Sequence, residues 1–154
     1  MEKERSFTMT TKSIAAIVQV TAHLLIFAWQ YVQQMQVTSS ALAFETQLYL
    51  WGAFFLRTML ITVLVQIILS ILSNIIIRIK TGDRVDAHDE RDRLIELRSL
   101  RNFTFVFALG FYLAMTLLVF NFSLAVMFQT LAFSYLLAGV TLSASQIIYY
   151  ERGN

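Results

Sequence analysis

Residues 88–122 read HDERDRLIELRSLRNFTFVFALGFYLAMTLLVFNF: fifteen positions that hold the densest charge in the chain run directly into twenty that hold none. Twenty apolar residues in helical form cross a hydrocarbon layer roughly 30 Å thick. No helix breaker separates the two halves, so the sequence predicts one helix from about Ala87 to Phe122. At 1.5 Å per residue that is roughly 50 Å, longer than the membrane, and the charged part projects from it as a stalk. Gly82 and Asp83 suit a turn before it, Asp86 suits an N-cap, and acids followed by Arg98 and Arg101 suit the helix dipole.

The rest of the chain has the composition of a membrane protein, with 57% hydrophobic and 14% charged residues. Further apolar spans are expected at about 14–34, 48–79 and 124–150, beside the one at 103–122. The 154 residues then form a single all-α domain, an integral membrane four-helix bundle with no room for a second domain. Proline is absent, which predicts long unkinked helices. The first span lacks a small-residue cleavage site after a short apolar core and is expected to stay as a span rather than be removed as a signal peptide. Cysteine is absent too, excluding disulfides, thiolate metal sites and Cys nucleophiles. A net charge of +2 gives no pull on nucleic acid.

Sidedness follows from the basic residues, which favour cytoplasmic flanks. Lys3, Arg5 and Lys12 precede the first span; Arg78, Lys80, Arg84, Arg91, Arg93, Arg98 and Arg101 lie between the second and third; Arg152 follows the fourth. The connection 33–47 has no basic residue and one acid, Glu45. Both termini and the charged segment are therefore expected on the cytoplasmic side.

At 100° per residue, His88, Asp89, Asp92 and Glu96 share one side of the charged helix, and Arg91, Arg98 and Arg101 the other, with Glu90 and Arg93 breaking the pattern. A second copy turned around matches acid to base, the self-complementary logic of a two-fold dimer. The plainer reading is a solvated helix start with internal pairs such as Asp89 with Arg93, since exposed pairs contribute only about 0 to 1 kcal/mol. His88, Asp92 and Glu96, at four-residue steps, resemble a weak divalent-cation arrangement, but the nearby arginines oppose a cation and no metal is assigned.

The run Asp89-Glu90-Arg91-Asp92, continuing through Leu94-Ile95-Glu96 to Arg98, Arg101 and Asn102 at the mouth of a span, resembles the signature of a family of small prokaryotic four-span membrane proteins with no assigned activity. The likeness covers about 15 residues and the general layout. It implies a bacterial or archaeal inner-membrane protein and carries over no catalytic residues.

Polar residues within spans are the other candidate carriers of function, because each must face protein or water. Gln19, His23, Gln30 and Gln34 fall within about 60° on the first helix, Thr62, Gln66, Ser70 and Ser73 form a row on the second, and Ser134, Ala138, Thr141 and Ser145 step along the fourth. Small and hydroxylated rows serve close helix packing; the alternative is a polar face made by Gln19, His23, Gln30 and Gln66. His23, near mid-membrane, is either a proton-exchanging group or a neutral hydrogen-bond partner for Gln66 or a neighbour. Arg57 is expected at the outer edge of a span starting at Thr58, with Tyr49 and Trp51 in the outer interface or against another chain; a span starting at Leu48 buries Arg57 near the centre instead.

No phosphate loop, metalloprotease motif, nucleophile elbow or intramembrane carboxylate pair is present, so no enzyme activity is expected, and no cofactor. Two functional classes remain. One is a non-enzymatic inner-membrane component, regulatory or sensory, that oligomerises (a dimer favoured) or docks a cytoplasmic protein through Asp89, Glu90, Arg91, Asp92, Glu96, Arg98 and Arg101. The other is a small oligomeric channel or transporter that uses the Gln/His face.

Overall fold

The computed structural model describes residues 11–39, 41–81 and 90–152. Within them the chain is all-helical: α1 (Thr11–Val37), α2 (Phe44–Thr81), α3 (Glu90–Val119) and α4 (Leu124–Arg152). All four are long and apolar enough to cross a membrane. They run for about 40, 57, 45 and 43 Å respectively at 1.5 Å per residue. With no proline anywhere, no backbone donor is missing along these lengths.

The helix bounds differ from the apolar runs at most ends. α1 and α2 extend past the expected 14–34 and 48–79, because flanking polar residues such as Gln36 and Glu45 are good helix material outside an apolar run. α3 stops at Val119 rather than Phe122, since Phe120–Phe122 form its turn. The α3–α4 connection is a Schellman ending: Phe122 N–H donates to Leu117 O at 3.1 Å and Asn121 N–H to Leu118 O at 3.1 Å. Asn121 takes the left-handed φ of 61° that this motif requires, and Ser123 caps α4 with its Oγ 3.4 Å from Val126 N.

Packing orders the helices as an arc, α2–α1–α4–α3. α3 lies along α4, α4 against α1, and α1 against α2; α2 meets α4 only briefly, and among the described residues the backbone of α3 approaches neither α1 nor α2. The four helices thus form an open bundle. Both hairpin connections sit at one end. The other end, the base, gathers the starts of α1 and α3 and the end of α4, where the Ser13 hydroxyl donates to Glu151.

The buried faces explain the arc. α1 buries Ser13, Ala16, His23, Phe27, Gln30 and Gln34, one stripe at three- and four-residue steps. α3 and α4 approach closely through small residues: a Cβ at Gly110 would overlap the Ser134 side chain, and Ala114 and Ala138 are fully buried. Asn102 Nδ2 donates to Ser145 Oγ at 3.0 Å and Tyr149 Oη at 3.2 Å, fixing α3 on α4 near the base.

The apolar core is aromatic, built from Phe27, Trp51, Phe54 and Ala132 with Phe55 and Phe128 against it. Trp51 stacks on Phe128 at 5.6 Å and meets Phe54 edge-on at 5.6 Å, arrangements worth about 0.5–1.5 kcal/mol each beyond area. Trp51 is therefore a core residue of its own chain, not the interfacial or intermolecular residue expected, because it shares a helix face with Phe54, Thr58 and Thr62. Tyr49, off that face, is exposed. Arg57 lies one turn past Phe54, whose ring packs on Phe27 of α1, and its side chain is exposed on the outer face of α2.

Candidate functional site

Because α2 and α3 stand apart, a groove opens between them with α4 and α1 as its floor. Its half nearer the base is a cavity of about 450 Å³ lined by Gln19, His23, Thr62, Gln66, Ser70, Tyr135, Ser143 and Gln146. Its half nearer the hairpins, about 550 Å³, is lined by Phe55, Leu56, Met59, Phe107, Phe128 and Leu131. Phe103 and Tyr135 line both, so the two halves are continuous.

His23 is the centre of the polar half. Its ring packs against Tyr135 with centroids 5.4 Å apart, and its Nε2 turns toward Gly139, where an added Cβ would lie 2.5 Å away. The imidazole is 5% exposed and its Nε2 has no hydrogen-bond partner. Gln66, one of the partners the sequence offered, does not bond to it. Gln66 Nε2 instead donates to the Gln19 carbonyl at 3.2 Å, tying α2 to α1 beside the cavity. Among the described residues no Asp, Glu, Lys or Arg lines either half, leaving His23 and Tyr135 as its titratable members. The chemistry this set offers is hydrogen bonding by amides, hydroxyls and one imidazole.

Of the expected polar face, Gln19, His23 and Gln66 come together here. Gln30 does not join them: it lies two turns further along α1, fully buried, with its Nε2 unpartnered. Arg57 faces outward on α2. Tyr135, Gly139, Ser143 and Gln146 are lining residues that the sequence reading missed, although their three- and four-residue spacing on α4 is the same periodic signal that picked out α1.

At the base, Asp89 lies outside the described residues and only the backbone of Arg91 is described. Glu90, Glu96, Arg98 and Arg101 are exposed. Asp92 is half-buried, turned with Ile95 and Ser99 toward α4. The acidic side of the charged helix is therefore partly the packed side. The exposed side carries Leu94, Leu97 and Leu100 among Arg93, Arg98 and Arg101.

No family model, no curated protein and no solved structure matches this chain. Its function is argued from these two surfaces alone.

Proposed function

We propose that this chain is a non-enzymatic multi-pass protein of a bacterial or archaeal cytoplasmic membrane, with both termini and the base of α3 inside, that acts by docking a second copy or a cytoplasmic protein on that base, in a regulatory or sensory role. One observation carries the reading. The first three turns of α3 touch only α4, and they leave Leu94, Leu97 and Leu100 exposed between arginines. Apolar residues ringed by charge at a helix that emerges from lipid make a surface suited to a protein partner, with the arginines giving orientation and the leucines giving buried area. The dense Lys and Arg flanks support the inside placement.

Asp92 and Glu96 each have a partner within the chain, so the acid-to-base match between copies relies on the exposed Glu90. Cysteines at Leu97 and Leu100, in a chain that has none of its own, are expected to crosslink to a copy or a partner in native membranes. Reversing Arg98 and Arg101 to glutamate is expected to abolish the adduct. Adducts that persist through the double reversal, or never form, refute the docking role.

A second reading, a polar route within an oligomer, is favoured by the meeting of Gln19, His23 and Gln66 in one cavity. Its test is flux of small solutes through liposomes bearing the protein and its His23→Leu variant.

A further inference from the structure

We propose that the groove between α2 and α3 binds an uncharged amphiphile, its carbonyl- or hydroxyl-bearing head in the His23 cavity and its chain along the aromatic half. The site is separate from the α3 base and stands whether or not a protein docks there.

Four observations converge on this class of ligand. Each half of the groove is of the size that takes a small molecule, roughly 300–1,000 Å³, and the halves join at Phe103 and Tyr135. The groove opens sideways between two helices whose backbones do not meet, so a lipid enters it from the bilayer without crossing water. The two halves differ sharply in chemistry: amides, hydroxyls and an imidazole at one end, Phe55, Met59, Phe107 and Leu131 at the other. Finally, the chain leaves this wall under-satisfied: the imidazole Nε2 is sealed against Gly139 without a hydrogen-bond partner, at a cost of roughly 1–3 kcal/mol.

Charge selects the head. A phosphate or ammonium head so deep among apolar helices needs an opposite charge, and none lines the groove. A carbonyl or hydroxyl is satisfied by the amides of Gln66 and Gln146, which supply both donors and acceptors. Direction agrees with this. The polar half lies toward the base: it reaches Phe103, Ser143 and Gln146, level with the Asn102–Ser145 contact, with the arginines of α3 beyond. A lipid of the leaflet on the base side, head down and chain toward the membrane centre, matches that order.

Two lipids share the chemistry, a diacylglycerol and a prenylated quinone, and photolabelling separates them. The full-length protein in nanodiscs of phosphatidylcholine and phosphatidylglycerol is exposed to three probes with a diazirine in the chain: diacylglycerol, prenylated quinone and phosphatidylglycerol. One or both uncharged probes are expected to label α2 near Phe55–Met59 and α3 near Phe103–Phe107, with competition by the unlabelled lipid; the phosphatidylglycerol probe labels the outer faces without such competition. Gln66→Leu is expected to weaken the labelling about three- to tenfold, the worth of one hydrogen bond. Met59 is exposed, so Met59→Trp fills the chain end of the groove without disturbing the packed helix faces and is expected to block labelling in a protein that still folds. Equal labelling by all three probes, unaffected by Met59→Trp, means ordinary boundary lipid and overturns the proposal. Crosslinks from the same groove residues to a second copy mean that protein fills it, and overturn it too.

Discussion

At the scale of single residues, the contact between His23 and Gly139 has the sharpest consequence. Gly139 leaves room for the imidazole, and a methyl group there meets Nε2 at 2.5 Å. Gly139→Ala is therefore expected to lower stability by about 1–3 kcal/mol, the usual cost of overpacking, while His23→Ala added to it recovers most of the loss. Thermal unfolding of the two single variants and the double variant in detergent checks this; additive losses show that the two residues do not share a contact. The period of α1 made His23 legible as an inward residue in the sequence, beside Gln30 and Gln34. Gly139 was not legible, because a glycine's sequence neighbours say nothing about what lies across the gap from it. Trp51 misled for a related reason: hydropathy locates a span's apolar length but not which turn of a longer helix faces the core.

At the scale of elements, the α3–α4 hairpin is held at both ends by specific polar geometry. Asn121 sits in the left-handed region at φ 61°, which costs an ordinary L-residue roughly 1–2 kcal/mol. Asn121→Val is expected to destabilise by about that much and Asn121→Gly to be nearly neutral, since glycine is the preferred residue at this position. If valine is tolerated as well as glycine in a melting experiment, the turn is not formed as described. Near the base, Asn102 makes two interhelical bonds, and such bonds average about 0.6 kcal/mol in membrane bundles. Asn102→Leu is therefore expected to cost about 1 kcal/mol and to loosen the base of α3, seen as faster amide exchange at residues 95–103. The sequence carried the turn in Asn121 and Ser123 and carried the unbroken α3 in its lack of a breaker. It did not carry the pairing of Asn102 with Ser145, because spacing along one helix does not fix its rotation against another.

At the scale of the whole molecule, the open arc follows from how unevenly the helices bury themselves. α1 and α4 carry stripes of small and polar residues that demand neighbours, whereas most of the surface of α2 and α3 is aliphatic or aromatic and satisfied by lipid. The sequence showed four apolar helices, but a lipid-facing leucine and a core leucine read alike, so it could not show that α2 and α3 stay apart. That arrangement gives the protein two ends of opposite character. The hairpin end bears the uncharged turn Asn121–Ser123 and the exposed Tyr49; the base bears Arg93, Arg98, Arg101 and Glu151. The proposed function puts the base in the cytoplasm on the strength of its positive flanks, and the absence of cysteine makes that placement directly measurable. Tyr49 and Leu97 are both exposed and lie at opposite ends, so a cysteine at either disturbs little packing. In right-side-out vesicles a membrane-impermeant maleimide is expected to label Tyr49→Cys at once and Leu97→Cys only after permeabilisation. The reverse pattern inverts the molecule: the α3 base then faces away from any cytoplasmic partner, and the polar half of the groove opens toward the outer leaflet, so the diacylglycerol or quinone it accepts must come from that side.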